Sequence, residues 1–424
     1  MRIHLKTLGC RLNEAELETW SREFQAQGFQ ITHQAEEADL LVVNTCAVTQ
    51  EAVRKSRKLM SRSGRLNPNA RLVVSGCYAS LEPDQASKME GVDLLVENRH
   101  KARLVEIVTD KLDLKLMPEA AMEAEAGGIL ARGRQRAFIK VQDGCRYRCS
   151  FCVVTLARGE ERSRSIDEII NEINHLHQEG IQEVVLTGVH IGGYGADIDT
   201  NLVALVEAIL ANSEIPRLRI GSIEPWDLQP GFWDLFDNPR LMPHLHLPLQ
   251  SGADSVLRRM ARRCRSDEFR QLVAQARAHI KDFNVTTDII VGFPGESEAE
   301  WHQTLNFVEQ IGFGHLHIFA YSPRQGTKAA SLPDPVSRDI KRQRSEALHQ
   351  LSKRMTRKTL EAHLGKTLPI LVEGSTEKGF GGYTPNYLRV EITPETGVDL
   401  INQIVAVKLT AIADKGDALI GSAV

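Results

Sequence analysis

Cys145, Cys149 and Cys152 fall within "GCRYRCSFC", so three of the chain's seven cysteines share one short stretch. Thiols at this spacing let a single loop wrap a compact metal centre. A structural zinc site normally closes with a fourth ligand from a second downstream pair, and no second C-x-x-C pair occurs here. An iron–sulfur cube also ordinarily takes four thiolates. Three protein ligands leave one iron of a [4Fe–4S] cube open, and an open coordination position is what a catalytic centre keeps. Arg146, Tyr147 and Arg148 make the loop polar, which argues against three inert buried thiols.

A second set of three is dispersed. Cys10, Cys46 and Cys77 each directly follow a predicted strand, in "RIHLKTLGC", "DLLVVNTC" and "ARLVVSGC". Carboxyl ends of parallel strands share one edge of a sheet, so thiols far apart in sequence can converge there. The equivalence of their positions favours a second three-ligand metal site over three separately buried cysteines. Cys264 has no cysteine neighbour and reads as a lone thiol in a basic helical run.

The elements that must position these thiols separate into three segments. Residues 1–116 alternate strands and helices; "DLLVVNT" and "ARLVVSG" are unbroken apolar runs, as in strands buried on both faces of a parallel sheet. "NEAELETWSREFQAQG" reads as a helix opened by Asn13 as N-cap, with Glu16 three residues on. Residues 117–136 read as a linker, acidic and then basic. Residues 137–360 repeat strand then helix about six times, with strands at "AFIKVQ", "EVVLTG", "RLRIGS", "HLHLPL", "VTTDIIV" and "HLHIFA". That pattern predicts a parallel α/β sheet, open or curled into a partial barrel, with its active site at the carboxyl strand ends. Residues 361–424 contain short strands with Gly and Pro punctuation and predict a small β-barrel or sandwich.

Composition is ordinary, with 42% hydrophobic and 25% charged residues. "RIHLKTLG" lacks the basic and apolar regions of a signal peptide, and no apolar run approaches the roughly 18 to 20 residues that span a bilayer. The expectation is a cytoplasmic protein, where clustered cysteines mean metal or catalysis. The formal net charge is -3, but the distribution is uneven. Arg54–Arg71 holds seven basic residues and no acidic one, and Arg258–Arg265 and Lys341–Lys358 are similarly basic. Single runs of this kind are ordinarily solvated helix faces; several together raise the expectation of a polyanion-binding face.

The C-x3-C-x2-C loop, with Phe151 before its last cysteine, resembles that of the radical S-adenosylmethionine (SAM) enzymes. The whole chain is similar to the methylthiotransferase family, end to end and in order. The matching motifs are "LGCRLNEAE", "VNTCAVT", "VSGCYA", "GCRYRCSFC", "ARGEERSRS", "HLPLQSG", "TDIIVGFPGE", "YSPRQGT" and "GYTPNYLRV". The resemblance implies an N-terminal cluster domain, a radical-SAM partial (β/α)6 barrel and a C-terminal TRAM-like β-barrel. It implies that Cys145, Cys149 and Cys152 hold a [4Fe–4S] cluster that cleaves SAM to a 5′-deoxyadenosyl radical. It implies that Cys10, Cys46 and Cys77 hold an auxiliary [4Fe–4S] cluster carrying the sulfur that one SAM methylates. No catalytic residue beyond these cysteines is identified.

"LGCRLN" and "LTGVHIGGYG" look like the branch that modifies N6-threonylcarbamoyladenosine at tRNA position 37, on carbon 2. Relatives acting on isopentenyladenosine tRNA or on a ribosomal protein aspartate are the alternatives. Thr155 stands where a proline is common. SAM contacts are expected at Thr187 and Gly188 by resemblance to the methionine-binding edge, and at Ser222, Glu224, Gln250 and Asp288 near strand ends at the same mouth. The histidines of "HLHLPL" and "HLHIFA" read as barrel-lining or surface residues rather than ligands. Expected partners are the tRNA anticodon loop, a reductant protein such as flavodoxin or ferredoxin, and a sulfur donor of unknown identity, with no membrane. The tail, with Lys366, Lys378, Arg389 and Lys408, resembles an RNA-binding module.

Overall fold

The computed structural model describes residues 1–114, 135–376, 379–393 and 399–424. Most of the expected linker, residues 117–134, and Lys378 of the tail lie outside these.

The N-terminal unit runs β1 (Arg2–Thr7), α1 (Arg11–Ala26), β2 (Gln30–Ile31), β3 (Leu40–Thr45), α2 (Gln50–Leu66), β4 (Arg71–Gly76), α3 (Cys77–Leu81), α4 (Pro83–Ser87), β5 (Leu94–Val96) and α5 (Leu104–Lys111). Its sheet has the order β2-β1-β3-β4-β5, and every pairing is parallel. All six residues of β3 are buried, as the unbroken apolar run requires. Register sets the site. Thr7 pairs with Asn44 and Thr45 with Gly76, so the three strands end level and Cys10, Cys46 and Cys77 emerge at one edge.

The second unit comprises β6 (Arg136–Lys140), β7 (Gln142–Asp143), α6 (Val154–Arg158), β8 (Arg162–Ser163), α7 (Ile166–Gln178), β9 (Glu183–Thr187), α8 (Leu202–Asn212), β10 (Arg217–Ile220), β11 (His244–His246), α9 (Asp254–Arg259), α10 (Ser266–His279), β12 (Asn284–Val291), α11 (Glu298–Ile311), β13 (His315–Ala320) and α12 (Arg338–Glu361). Strands β6-β9-β10 and β11-β12-β13 form two parallel sheets joined by single bridges, Leu218 to Leu241 and Ser222 to His246. The six strands thus curl into a partial barrel around one continuous core, which includes Ile139, Leu186, Ile220, Leu247 and Ile289.

The third unit is a closed barrel of order β14-β15-β16-β18-β17, from β14 (Thr367–Thr376), β15 (Gly379–Tyr383), β16 (Arg389–Thr393), β17 (Ile404–Ile412) and β18 (Leu419–Ala423). The sequence reading missed β15, "GFGGY", because glycine hides the alternation that marks a strand. One of these glycines is required by close approach: a Cβ on Gly382 would lie 2.3 Å from the Leu371 carbonyl oxygen. The barrel is anchored to the second unit by Lys366 to Asp282 at 2.6 Å, Asn402 to the Gly180 carbonyl at 2.9 Å, and Arg217 to the Pro369 carbonyl at 2.6 Å.

Two local expectations are corrected. Asn13 is not an N-cap: α1 begins at Arg11, after Cys10. The Asn13 amide instead donates to the Leu8 and Thr45 carbonyls at 2.8 and 3.2 Å, and its oxygen accepts from Arg158. Arg258–Arg265 is largely the turn between α9 and α10, so Cys264 is not helical. Arg259 and Arg262 of this run turn inward to Glu300 and Glu224, because charge-assisted bonds to these partly buried carboxylates hold them more strongly than solvent does.

Candidate active site

Each dispersed cysteine sits where the chain can approach another strand closely. Gly9 has φ +125, and a Cβ there would fall 2.9 Å from Cys46 Cβ and 3.1 Å from its Sγ. Gly76 has φ +103, with the Thr45 carbonyl oxygen 2.3 Å from its hypothetical Cβ. Cys10, Cys46 and Cys77 line one cavity of about 900 Å³ that runs into the lumen of the partial barrel. Asn98 Nδ2 points at Cys77 Sγ at 3.7 Å, and Ser56 holds the Cys46 backbone through bonds of 3.0 and 2.8 Å. Burial pushes the Cys46 thiol up to about 11. Gly76→Ala should lower apo-protein stability by roughly 3 kcal/mol through left-handed strain and the carbonyl clash. Chemical denaturation measures that, and iron bound per chain should fall with it.

The other triad is built by one loop. Gly144 has φ +75, with the Glu160 carbonyl oxygen 1.8 Å from where a Cβ would sit. The Cys145 amide closes the loop on the Gly159 carbonyl at 3.1 Å. Amides of Tyr147 and Val154 donate to the sulfurs of Cys145 and Cys152, both at 3.4 Å, and Arg262 reaches Cys149 Sγ at 3.9 Å. Burial pushes Cys145 up to about 11 and Cys152 up to about 12; burial also raises Cys149, against the opposing charge of Arg262. Metal binding must therefore displace protons from these thiols. Amide and guanidinium donors aimed at sulfur are what a thiolate-held iron cluster requires. The seven cysteines are all free thiols. Each site offers three free thiols, the chemistry a cluster held by three thiolates would use.

A network that the sequence reading missed braces this loop. Tyr147 Oη donates to Asp227 at 2.6 Å, His190 Nε2 meets the other Asp227 oxygen at 2.6 Å, and His190 Nδ1 meets Glu161. Burial opposes a charged imidazole, but bonds to Asp227 and Glu161 outweigh it and raise the His190 pKa. Cys145 Sγ, His190 and Glu161 place ligand-type atoms within 4.8 Å of one another. His190 lies in "GVHIGGYG" and Glu161 in "ARGEERSRS", two motifs read only as family markers. Nothing local signals their pairing across 29 residues.

Of the expected SAM contacts, Thr187, Gly188, Ser222 and Asp288 line the same cavity as Cys10, Cys46 and Cys77. Glu224 and Gln250 do not. Glu224 binds Arg262 at 2.6 Å, beside Cys149. Gln250 is buried at φ +78, with its backbone paired to β12. His244, His246, His315 and His317 do line the lumen, as expected; His246 engages Asp288 at 3.2 Å.

A buried ionic knot joins the two cysteine sites. Arg158, at the end of α6, donates to Glu16 of α1 and to Asp143, both at 2.9 Å, and to Asn13 at 2.8 Å. Lys140 bridges the same carboxylates at 3.2 and 2.7 Å, and Lys101 pairs with Glu16 from the other side. Burial alone would raise the Glu16 pKa, but these three cations hold it well below the usual carboxylate range. Asp143, also buried, is held down to about 2 by Arg158 and Lys140.

A parallel partial barrel with a C-x3-C-x2-C loop at its mouth defines a radical-SAM enzyme. Residues 139–308 match the radical SAM superfamily, and residues 2–97 match a family described as uncharacterized protein family UPF0004. The chain is 34% identical to the threonylcarbamoyladenosine tRNA methylthiotransferase MtaB of Bacillus subtilis, over 96% of this chain and 93% of that protein. It is 32% identical to the tRNA-2-methylthio-N(6)-dimethylallyladenosine synthase of Oceanobacillus iheyensis, over 96% and 81%. The radical SAM methyltransferase TsrM of Kitasatospora setae superposes with a TM-score of 0.58 at 16% identity, covering 78% of this chain and 77% of that one; the likeness is one of fold. The chain belongs to the radical-SAM methylthiotransferases, and within them to the MtaB type. Its cofactors are SAM and [4Fe–4S] clusters. Among the described residues no helix is long and apolar enough to cross a membrane.

Proposed function

We propose that this enzyme places a methylthio group on carbon 2 of the tRNA adenosine at position 37 that bears an N6-threonylcarbamoyl group. When bound, the clusters supply an electron for SAM cleavage at one site and a sulfur at the other, giving radical chemistry that acid–base side chains cannot provide for an aryl C–H bond. The chain's own part is to hold the two sites and the base. Cys145, Cys149 and Cys152 serve one cluster, and Cys10, Cys46 and Cys77 the other. Thr187, Gly188, Ser222 and Asp288 border the space where SAM and base meet, and Glu224 braces the cluster loop through Arg262.

The observation that carries the substrate is the chemistry of the cavity beside Cys10. Its lining includes Arg11, Asn13, Asn284, Thr286, His246 and His317. Asn13, Asn284, Thr286 and His246 already bond within the protein. Burying an isopentenyl chain against Arg11, however, would strip its guanidinium of water without replacement, whereas a ureido group ending in a carboxylate can pair with it. This favours the threonylcarbamoyl reading over the isopentenyl one, although relatives of both kinds match at similar identity. A base must leave its stack to enter, which suits a single-stranded anticodon loop. Exposed Arg54, Lys55, Arg57, Lys58 and Arg62 on α2 and Lys408 on the third unit suit the RNA backbone, so binding should weaken steeply with salt. The enzyme works in the cytoplasm with a flavodoxin- or ferredoxin-type reductant.

Nucleoside mass spectrometry on tRNA from a deletion strain tests this. The methylthio form of threonylcarbamoyladenosine should vanish and return on complementation. Loss of only the isopentenyl-derived methylthio nucleoside overturns the reading.

A further inference from the structure

Arg11 is a cation in this cavity that no carboxylate among the described residues answers. It follows Cys10 in sequence and is exposed along the cavity wall. Its guanidinium lies 5.7 Å from the ring centroids of both Phe138 and Tyr387, and its Nη2 donates to Tyr387 Oη at 3.0 Å. Among the described residues no carboxylate pairs with it. The other two arginines on the wall are engaged, Arg158 by Glu16 and Asp143, and Arg389 by Glu391 and Asp417 at 3.7 and 3.8 Å. Asp288 and Asp417 on the wall are engaged in turn by His246 and Arg389, and Glu14 also has a partner. Burial lowers the pKa of His244, His315 and His317, the last to about 4, so these imidazoles are neutral near pH 7. Among the described residues, Arg11 is the arginine on this wall that has no carboxylate partner, and it directly follows Cys10 in sequence.

The arginine is also held in place. Tyr387 of the third unit has φ +69, a left-handed conformation that a tyrosine rarely adopts. The turn keeps it there: Tyr387 N donates to the Thr384 carbonyl at 3.0 Å, Leu388 N to Thr384 Oγ1 at 2.8 Å, and Asn386 Nδ2 to the Asp282 carbonyl at 2.9 Å. Arg136 and Arg219 crowd the same ring at 5.2 and 4.7 Å. One Arg11 donor is spent on the phenol, and the planar fork retains others for a ligand.

In adenine, carbon 2 and the N6 nitrogen lie on the same edge of the base, on either side of N1. A base presenting carbon 2 to the sulfur beside Cys10 brings its N6 substituent toward neighbouring residues of that wall. A threonylcarbamoyl substituent ends in a free carboxylate; an isopentenyl group carries no charge.

We propose that Arg11 is the specificity-determining residue that binds the carboxylate of the N6 substituent, with Tyr387 as its positioning residue. This rests on the substrate reading above. The test measures binding of anticodon stem–loop oligonucleotides to the anaerobically reconstituted full chain by fluorescence anisotropy. The adenosine carries the threonylcarbamoyl group, its neutral methyl ester, or an isopentenyl group. Wild-type protein should bind the acid about 10- to 100-fold more tightly than the ester, the range of a charge-assisted hydrogen bond. Arg11→Gln should bring the two within about threefold of each other. Arg11→Lys, which keeps the charge but loses the fork, should retain part of the preference and carries the test if the glutamine variant does not fold. An unchanged acid-to-ester ratio in Arg11→Gln overturns the assignment while leaving the substrate reading intact. Equal weakening toward acid and ester makes Arg11 a purely structural contact and also overturns it. Wild-type protein that binds and modifies only the isopentenyl oligonucleotide overturns both.

Discussion

Cys46→Ala should form no methylthio product yet still cleave SAM to 5′-deoxyadenosine under reducing conditions, whereas Cys149→Ala should lose both reactions. The reason is architectural. Cys46 sits at the end of β3, where its thiol shares the cavity edge with Cys10 and Cys77. Cys149 belongs to the separate loop closed between Cys145 and Gly159, with its own donors from Tyr147, Val154 and Arg262. Removing one ligand from a three-thiolate site leaves too few to retain a cluster, but the other site keeps its full set. Anaerobic assays of 5′-deoxyadenosine and methylthio nucleoside on each variant, with iron counted per chain, distinguish the two. Equal loss of SAM cleavage in both variants would refute the division of labour between the triads.

Glu16→Gln should destabilise the protein by roughly 3–5 kcal/mol, more than Arg158→Met does. Glu16 and Asp143 are surrounded by Arg158, Lys101 and Lys140, all close-packed and mostly out of water. Removing Arg158 leaves two carboxylates against two lysines, a balanced set. Removing the charge of Glu16 leaves three cations against one carboxylate, and Lys101, only 2% exposed, loses its carboxylate partner. Burial already lowers the Lys101 pKa, so in the variant the lysine should shed its proton rather than remain charged. Adding Lys101→Met to Glu16→Gln should recover part of the loss, which denaturant midpoints would show.

The pH dependence follows from the sign of the shifts. Both carboxyls titrate below their unfolded values, so their contribution is present above the ordinary carboxylate range and is lost as pH falls through the folded values, about 2 for Asp143. Wild-type stability should therefore persist further into acid than that of Glu16→Gln. A Glu16→Gln variant as stable as wild type at pH 7 and in acid would show that the knot contributes nothing. Because the knot ties α1, which follows Cys10, to α6, which follows Cys152, the same variant should also disturb the spacing of the two cysteine sites.

The comparison of sequence with structure sorts by the range of the interaction. Strands β3 and β4 were legible because burial on both faces demands a continuous apolar run, a property of neighbouring residues. The C-x3-C-x2-C loop was legible because one turn of chain supplies all three thiols. Even the dispersed triad could be read, since each thiol closely follows a parallel strand, Cys46 and Cys77 directly after β3 and β4 and Cys10 just past β1. Asn13 was misread because its residue type suits an N-cap, yet it is occupied by Leu8, Thr45 and Arg158 from three separate parts of the chain. The basic run Arg258–Arg265 was misread because charge counts in sequence cannot show Glu300 and Glu224 waiting across the fold.

Residue types and spacing alone determined that this chain carries two three-thiol sites, on a parallel α/β framework ending in a small β unit, because periodicity and strand-end position are local. Only the tertiary structure decided which charges neutralise one another, which carboxylates brace Tyr147 and His190, and that Arg11 stands beside Cys10 backed by a tyrosine far along the chain. Such pairings depend on distances set by packing, and no stretch of sequence encodes them by itself.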